Sequence, residues 1–349
     1  MLAYRITQFG APLAEMKEAN PAPKGTEVLL KMTGCGVCHS DVHIWEGHFD
    51  MGGGRKVPAV SSDTLPLAMG HEVAGEVVAV GPEASGVKVG DRRVVYPWIG
   101  CGQCATCKAG DEHLCNKPRQ IGVNVDGGFA DHVLVPHARY LLDYTGVEHD
   151  LACTFACSGL TAFSALKKIG KLSEGQALLI IGAGGVGLAG VKLAKAVTGV
   201  APIVADIDDK KLELAKQAGA ADVINSTAAD AVKRLVAQTG GGVAGAVDFV
   251  GAESSTKFGT SVLRKGGKLV IVGLFGGSFT VPVPMFPFRS WTVQGSMTGR
   301  LDELQELLEL GRKGLVQSPP ISNRPLAQAG QTVEDLKAGR ILGRVVLHP

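Results

Sequence analysis

The 349-residue sequence contains no basic run and no basic stripe interleaved with aromatics, and its 35 Lys and Arg stand against 33 Asp and Glu. With charge so evenly balanced, nothing marks a surface for nucleic acid or for an anionic membrane. No stretch reaches the roughly 18 consecutive apolar residues that a membrane-spanning helix needs. The longest uncharged apolar run, ALLIIGAGGVGLAGV, is broken by five glycines and reads as strand, turn and helix. The opening MLAYRITQFGAPL lacks the basic start, apolar stretch and small-residue cleavage site of a secretory signal, so a cytoplasmic location is the expectation. In a reducing compartment the eight cysteines are not a disulfide framework. Internal repeats and low-complexity tracts are absent as well.

What is present is ample apolar material, 45% of the chain, at a length that suggests two domains or one interrupted by another. From residue 1 to about 150, short β-rich runs such as EVLLKMT, EVAGEVVAV, DRRVVYP and FADHVLVP are separated by Gly, Pro and Asp turns. From about Phe155 the texture changes. Apolar strand-like runs (QALLIIG, APIVADI, ADVIN, AVDFV, GGKLVIVG) alternate with helix-like stretches, which implies βαβ units and a parallel sheet covered on both faces. Beyond about Met297 a helix, RLDELQELLELGRKG, leads to a last β-like run, GRILGRVVLHP, whose placement suggests a return to the first region.

Gly182, Gly184 and Gly187 follow an apolar strand and open a helix in G-x-G-x-x-G spacing. The first glycine allows a tight turn, the second lets a pyrophosphate approach the backbone, and the third lets helix and strand pack closely. Gly185 and Val186 lie inside the motif and are taken with it as cofactor-binding. The next strand ends at Asp206, about 20 residues on, where an acid accepts hydrogen bonds from a ribose and repels a 2′-phosphate. NAD is therefore expected rather than NADP, with Lys211 as a further ribose contact; the alternative is a close-packed turn with an ordinary strand-end acid.

Cys101, Cys104, Cys107 and Cys115 fall in C-x-x-C-x-x-C-x7-C spacing, which lets one loop wrap a tetrahedron of thiolates around a structural zinc ion. An iron–sulfur cluster is the competing reading. Elsewhere GCGVCHSDVH, MGHEVAGEVVAVG and FACSGLTAF hold Cys, His, Asp and Glu side chains far apart in sequence. Spacing alone does not assemble them, since a lone histidine is more often a satisfied polar side chain and a lone cysteine more often core.

Taken together, GVCHSDVH, GHEVAGEVVAVG, the four-cysteine loop, CSG, GAGGVG, Asp206 and the closing GRVV resemble, in that order, the zinc-dependent alcohol dehydrogenases of the medium-chain dehydrogenase/reductase family. The resemblance implies an α/β protein in which a GroES-like β-rich catalytic domain (1–155 and 299–349) carries an inserted Rossmann NAD-binding domain (156–298), a doubly wound parallel sheet. It implies two Zn2+ per chain, a structural one on the four-cysteine loop and a catalytic one on Cys38, His71 and Cys157, together with NAD(H). Glu72 corresponds to an acid behind the metal, and Asp41 to the partner that orients His71. Cys35 and Cys153 remain as buried small hydrophobes.

The resemblance also implies the reaction: reversible hydride transfer between a primary or secondary alcohol and NAD, with zinc as Lewis acid at the substrate oxygen. Ser40 and His43 would relay the hydroxyl proton to solvent. His39 and Arg344 match positions that meet the cofactor pyrophosphate, and Trp45, Phe49, Trp98 and Leu274 match positions lining the substrate pocket. The partners expected are a small alcohol, aldehyde or ketone and other copies of the chain, a tetramer before a dimer. A zinc polyol dehydrogenase on the same scaffold and a catalytically silent relative are the alternatives. Residues 44–69 are longer and richer in glycine than is usual in the family, which leaves the pocket wall there open.

Overall fold

The computed structural model describes residues 1–349. The β-rich region centres on one long strand, Val28–Val37, which pairs antiparallel with Glu72–Val80, with His132–Val135 and with Arg344–His348. Register shifts at Leu29/Leu30 and Met32/Gly34 bend it. Its first half is thereby flanked by His132–Val135, and its second half by the final strand of the chain. Arg92–Val95 and Leu141–Asp143 extend this sheet on one side and Ile321–Pro325 on the other.

The second sheet has six strands in the spatial order Asp222–Asn225, Ile203–Asp206, Leu178–Ile181, Val243–Asp248, Leu263–Ile271, Thr292–Gly295. All pairs are parallel. Numbered along the chain, that order is 3-2-1-4-5-6, the doubly wound arrangement, with its switch point between Leu178–Ile181 and Val243–Asp248. Leu178, Leu179, Ile180 and Ile181 are all buried because both faces are covered. Leu179 and Ile181 pack with Leu235, Phe258 and Leu269 on one face, while Ile180 packs with Leu188, Val191 and Leu212 on the other. The edge strand Thr292–Gly295 escaped the sequence reading because its side chains are mostly exposed and carry no apolar run.

One nearly continuous helix joins the two regions. His149–Thr154 passes through a π turn, Phe155–Gly159, into Leu160–Ile169. At Gly159 a Cβ would come 2.7 Å from Phe155 Cδ1, so the wide turn closes only over a glycine. Against this helix pack Gly185–Thr198, the helix of the glycine motif, and Leu301–Arg312. The largest apolar core runs without interruption from Leu30 and Val73 through Leu160 and Leu166 to Leu307 and Val346.

Candidate active site

Three loops bring Cys38, His71 and Cys157 together. Cys38 precedes the helix His39–Glu46, and Asp41, in its first turn, accepts the Cys38 backbone N–H on Oδ2 at 2.9 Å. The other oxygen of Asp41 stands 3.2 Å from His71 Nδ1, and neither side chain is exposed. Cys157 arrives from the π turn, with its Sγ 3.8 Å from Cys38 Sγ. The two sulfurs and an imidazole nitrogen lie within 4.8 Å of one another.

This set fits zinc. Two thiolates on one tetrahedral zinc, at bonds of about 2.3 Å, stand about 3.8 Å apart. Both ring nitrogens of His71 are buried without a hydrogen-bond partner, an arrangement that is costly unless Asp41 orients one and a cation takes the other. The hydrogen bond between the sulfurs pulls Cys38 well below the usual thiol range and pushes Cys157 well above it. Burial disfavours charge on His71, but Asp41 and Cys38 outweigh it and hold the ring well above its ordinary value.

A column of side chains leads from this set to the glycine turn. Glu72, fully buried, accepts the Ser158 backbone N–H on Oε1 at 2.9 Å, which ties it to the residue after Cys157. Its Oε2 pairs with Arg344, itself buried, and a Cβ on Gly36 would come 2.0 Å from that oxygen. Arg344 in turn lies against Gly185, where a Cβ would come 2.4 Å from Arg344 Cδ. Arg344 thus stands between the Glu72 carboxylate and the start of the helix Gly185–Thr198, with its Nε buried and unpartnered.

The glycine turn has the form its spacing predicts. Gly182 adopts φ 93°, in the left-handed region. Gly187 leaves helix and strand so close that a Cβ there would come 1.8 Å from Gly182 O. At Gly184 the position of a Cβ meets nothing within 4 Å, an open cradle at the N-terminus of a 14-residue helix that includes Val186. The Asp206 carboxylate braces the turn by accepting from Ala183 N at 2.7 Å, and it also accepts from Ile207 N and Asp208 N. These residues suit a dinucleotide.

Ser40 Oγ lies 3.9 Å from Cys38 Sγ, beside the metal set. His39 and His43 meet edge to face at 5.4 Å, and His43 rests against Phe49 at 5.0 Å. Burial lowers both histidines; Lys211, from the parallel-sheet region, presses His39 further in the same direction. Trp98 is buried 5.3 Å from the His71 ring and donates its indole N–H to Ala156 O, forming a wall of the set. Trp45 donates to Ala11 O and lies under the Lys337 ammonium, which turns its polar edge toward the N-terminal segment. Leu274 is exposed. Its neighbour Phe275, absent from the sequence reading, stacks on His39 at 5.1 Å. The glycine-rich segment forms a hairpin, His48–Asp50 with Lys56–Pro58, so close to the segment after Leu274 that a Cβ on Gly52 would come 2.8 Å from Gly277 C and one on Gly276 2.4 Å from Asp50 O.

The four-cysteine loop forms a second set. Sulfur separations are 3.5 Å for Cys104–Cys107 and 3.9 Å for Cys101–Cys107 and Cys104–Cys115, and no disulfide is formed. The backbone N–H groups of Cys107 and Lys117 point at Cys104 and Cys115 sulfurs. Those of Gln103 and Cys104 draw Cys101 down to about 6, whereas desolvation pushes Cys107 up to about 12. Four converging sulfurs with no opening fit a closed zinc site.

Residues 24–144 match the alcohol dehydrogenase GroES-like domain family, and residues 185–313 match the zinc-binding dehydrogenase family. An NAD-dependent alcohol dehydrogenase of Sulfurisphaera tokodaii is 36% identical, covering all of both chains. The crystal structure of an alcohol dehydrogenase from Aeropyrum pernix superposes with a TM-score of 0.88 at 30% identity over the whole of each chain. D-arabinose dehydrogenase of Sulfolobus solfataricus gives 0.82 at 26%, covering all of this chain and 99% of that one. Full-length likeness at this level places the chain among the zinc-dependent alcohol dehydrogenases of the medium-chain dehydrogenase/reductase family.

Proposed function

We propose that the protein is an NAD-dependent alcohol dehydrogenase that interconverts a primary or secondary alcohol with its aldehyde or ketone. One observation carries the reading: two sulfurs and an orphaned imidazole nitrogen converge within 4.8 Å, and the buried Glu72–Arg344 pair joins them to the open glycine turn. Zinc held by Cys38, His71 and Cys157 would supply Lewis acidity toward a hydroxyl or carbonyl oxygen, and NAD on the Gly182–Gly187 turn would supply the hydride acceptor.

The chain's own residues do the rest. Asp41 fixes the His71 ring and Glu72 fixes the turn that carries Cys157. Trp98 against His71 and Phe49 against His43 keep water from the reacting centre and favour modest apolar substrates. Ser40 Oγ takes the substrate hydroxyl proton; His43, held below its ordinary value by burial and by His39, is neutral at pH 7 and accepts it onward to solvent. His39, Lys211 and Asp206 line the dinucleotide path, and Arg344 stands behind its pyrophosphate end.

Two zinc ions per chain belong to this proposal, as does the division into a catalytic domain of 1–155 and 299–349 around an NAD domain of 156–298. A homo-oligomer is part of the proposal, with a tetramer expected before a dimer; the unpaired edge of Thr292–Gly295 supports self-association as such. No helix is long and apolar enough to cross a membrane, and we place the protein in the cytoplasm. The test is NAD reduction over aliphatic, benzylic, terpenoid and cyclic alcohols, with metal counted before and after chelation. Two zincs and chelator-sensitive NADH formation are expected; full turnover in metal-free protein would refute the assignment.

A further inference from the structure

A third group of metal-ligating side chains lies away from both cysteine sets. His149 and Asp150 open the helix that leads into the π turn, and His348 sits near the end of the final strand. One ligand atom from each lies within 4.8 Å of the others. Each side chain keeps some exposure, 20%, 15% and 31% for His149, Asp150 and His348, so the group is open to solvent on one side.

The hydrogen bonds around the two rings determine which nitrogen faces inward. His348 Nδ1 is 2.9 Å from Thr33 O, and a carbonyl only accepts, so Nδ1 carries the proton. In a neutral ring the lone pair is then on Nε2, which stands 3.3 Å from Asp150 Oδ1 and has no hydrogen-bond partner. Two lone pairs facing one another repel unless something positive lies between them. His149 Nδ1 has the Tyr144 hydroxyl at 2.9 Å, an oxygen able to accept its proton and so leave Nε2, 3.9 Å from Asp150 Oδ1, as the second free nitrogen. A backbone carbonyl and a hydroxyl holding the outer nitrogens of two histidines is the pattern that orients imidazole toward a metal. Separations of 3.3 and 3.9 Å are near the ~3.4 Å expected between donors bound at about 2.1 Å in tetrahedral geometry. Arg92 opposes loading: its Nη2, 3.4 Å from His149 Nδ1, can only donate and competes with Tyr144 for that nitrogen.

We propose that His149, Asp150 and His348 form a third cation site, taking one divalent transition ion of the zinc, nickel or copper type, with water in the remaining positions. Two nitrogens and one carboxylate oxygen suit these ions better than Mg2+ or Ca2+. When filled, the site pins the final strand, which carries Arg344, to the helix that leads into Cys157.

The test uses the oligomeric holoenzyme with its resident zinc, dialysed against buffered Zn2+ from 0 to about 100 µM, a range that spans a micromolar site. Metal per chain is counted by mass spectrometry, and the melting temperature is read at each concentration. The wild type is expected to gain one Zn2+ above its content at the lowest concentration and to melt higher as it does so. His348→Gln and His149→Gln, each removing one ligand, are expected to lose that extra ion while keeping the resident metal. In protein loaded with one equivalent of Cu2+ beyond its resident metal, electron paramagnetic resonance is expected to show a signal with two coordinated nitrogens in the wild type, and that signal is expected to be lost in either variant. An unchanged metal count across the titration would overturn the proposal, and so would retention of the extra ion by both variants. A wild type stabilised equally with and without Zn2+ would mean that His348 is a simple ion-pair partner of Asp150, which also overturns it.

Discussion

Replacing Arg344 by Met tests the column that joins the metal set to the glycine turn. Arg344 and Glu72 retain 4% and 0% of their side-chain exposure and pair across 272 residues of chain. Removing one partner of such a pair leaves an uncompensated buried charge, at a cost of about 3–5 kcal/mol. Unfolding entropy of about 2.1 cal/mol/K per residue gives about 0.7 kcal/mol/K for this length, so the melting temperature should fall by about 4–7 °C. Met retains an unbranched stem against Gly185, so the loss reflects charge rather than a cavity. Glu72→Gln should cost a similar amount, because it strands the guanidinium while keeping an acceptor for Ser158 N–H. The double variant Glu72→Gln/Arg344→Met removes both charges and should recover to within about 1–2 kcal/mol of wild type. Scanning calorimetry at one scan rate, with zinc content matched, measures all four proteins. A double variant that falls by the sum of the two singles would show that the charges do not hold one another, and the column would then have no energetic reality.

Gly187→Ala places a Cβ 1.8 Å from Gly182 O, so the helix must retreat from the strand; stability should drop by about 1–3 kcal/mol and NAD should bind at least about tenfold more weakly by calorimetric titration. Unchanged NAD affinity would contradict the packing argument. Cys107→Ser should lower the zinc count by one per chain and shorten the half-life at elevated temperature, with fresh protein still turning over; an unaltered count would remove the structural zinc from the four-cysteine loop. Asp335 is held below the usual carboxylate range by Arg340 first and Arg324 second. Because its folded-state value is depressed, its contribution is complete above the unfolded value of about 3.9 and is lost as pH falls below it. The melting temperature of Asp335→Asn should therefore lie a constant interval below wild type above about pH 4 and converge on it as pH falls further, and a gap that stays unchanged into acid would refute the linkage.

The parts of the molecule legible from the sequence are those whose signal is local. Leu178–Ile181 reads as a doubly covered strand because four consecutive residues are apolar, and all four are buried. The glycine motif is legible because each glycine answers a contact made within a few residues, such as Gly187 against Gly182 O. The four-cysteine loop closes within fifteen residues. Cys38, His71 and Cys157 give no such signal: they meet only after a helix cap, the approach to the strand Glu72–Val80 and a π turn converge, and nothing in FACSG announces i→i+5 hydrogen bonding. Only resemblance placed them together. The Glu72–Arg344 pair, the stacking of Phe275 on His39 and the His149–Asp150–His348 group were hidden for the same reason, since each joins segments that the fold alone makes adjacent.

These distant meetings concentrate on the strand Val28–Val37 and the final strand beside it. Leu347 lies opposite Cys35 and Val345 opposite Val37, so the last residues of the chain are fixed against the strand that delivers Cys38. That pairing sets Arg344 between Glu72 and Gly185 at one end and His348 beside His149 at the other. A change in the final strand therefore reaches two places at once: the carboxylate behind Cys157 and the helix that carries it. For this reason a stability loss at Arg344 and a metal-dependent gain at His348 should be coupled rather than additive, although the two residues touch different partners.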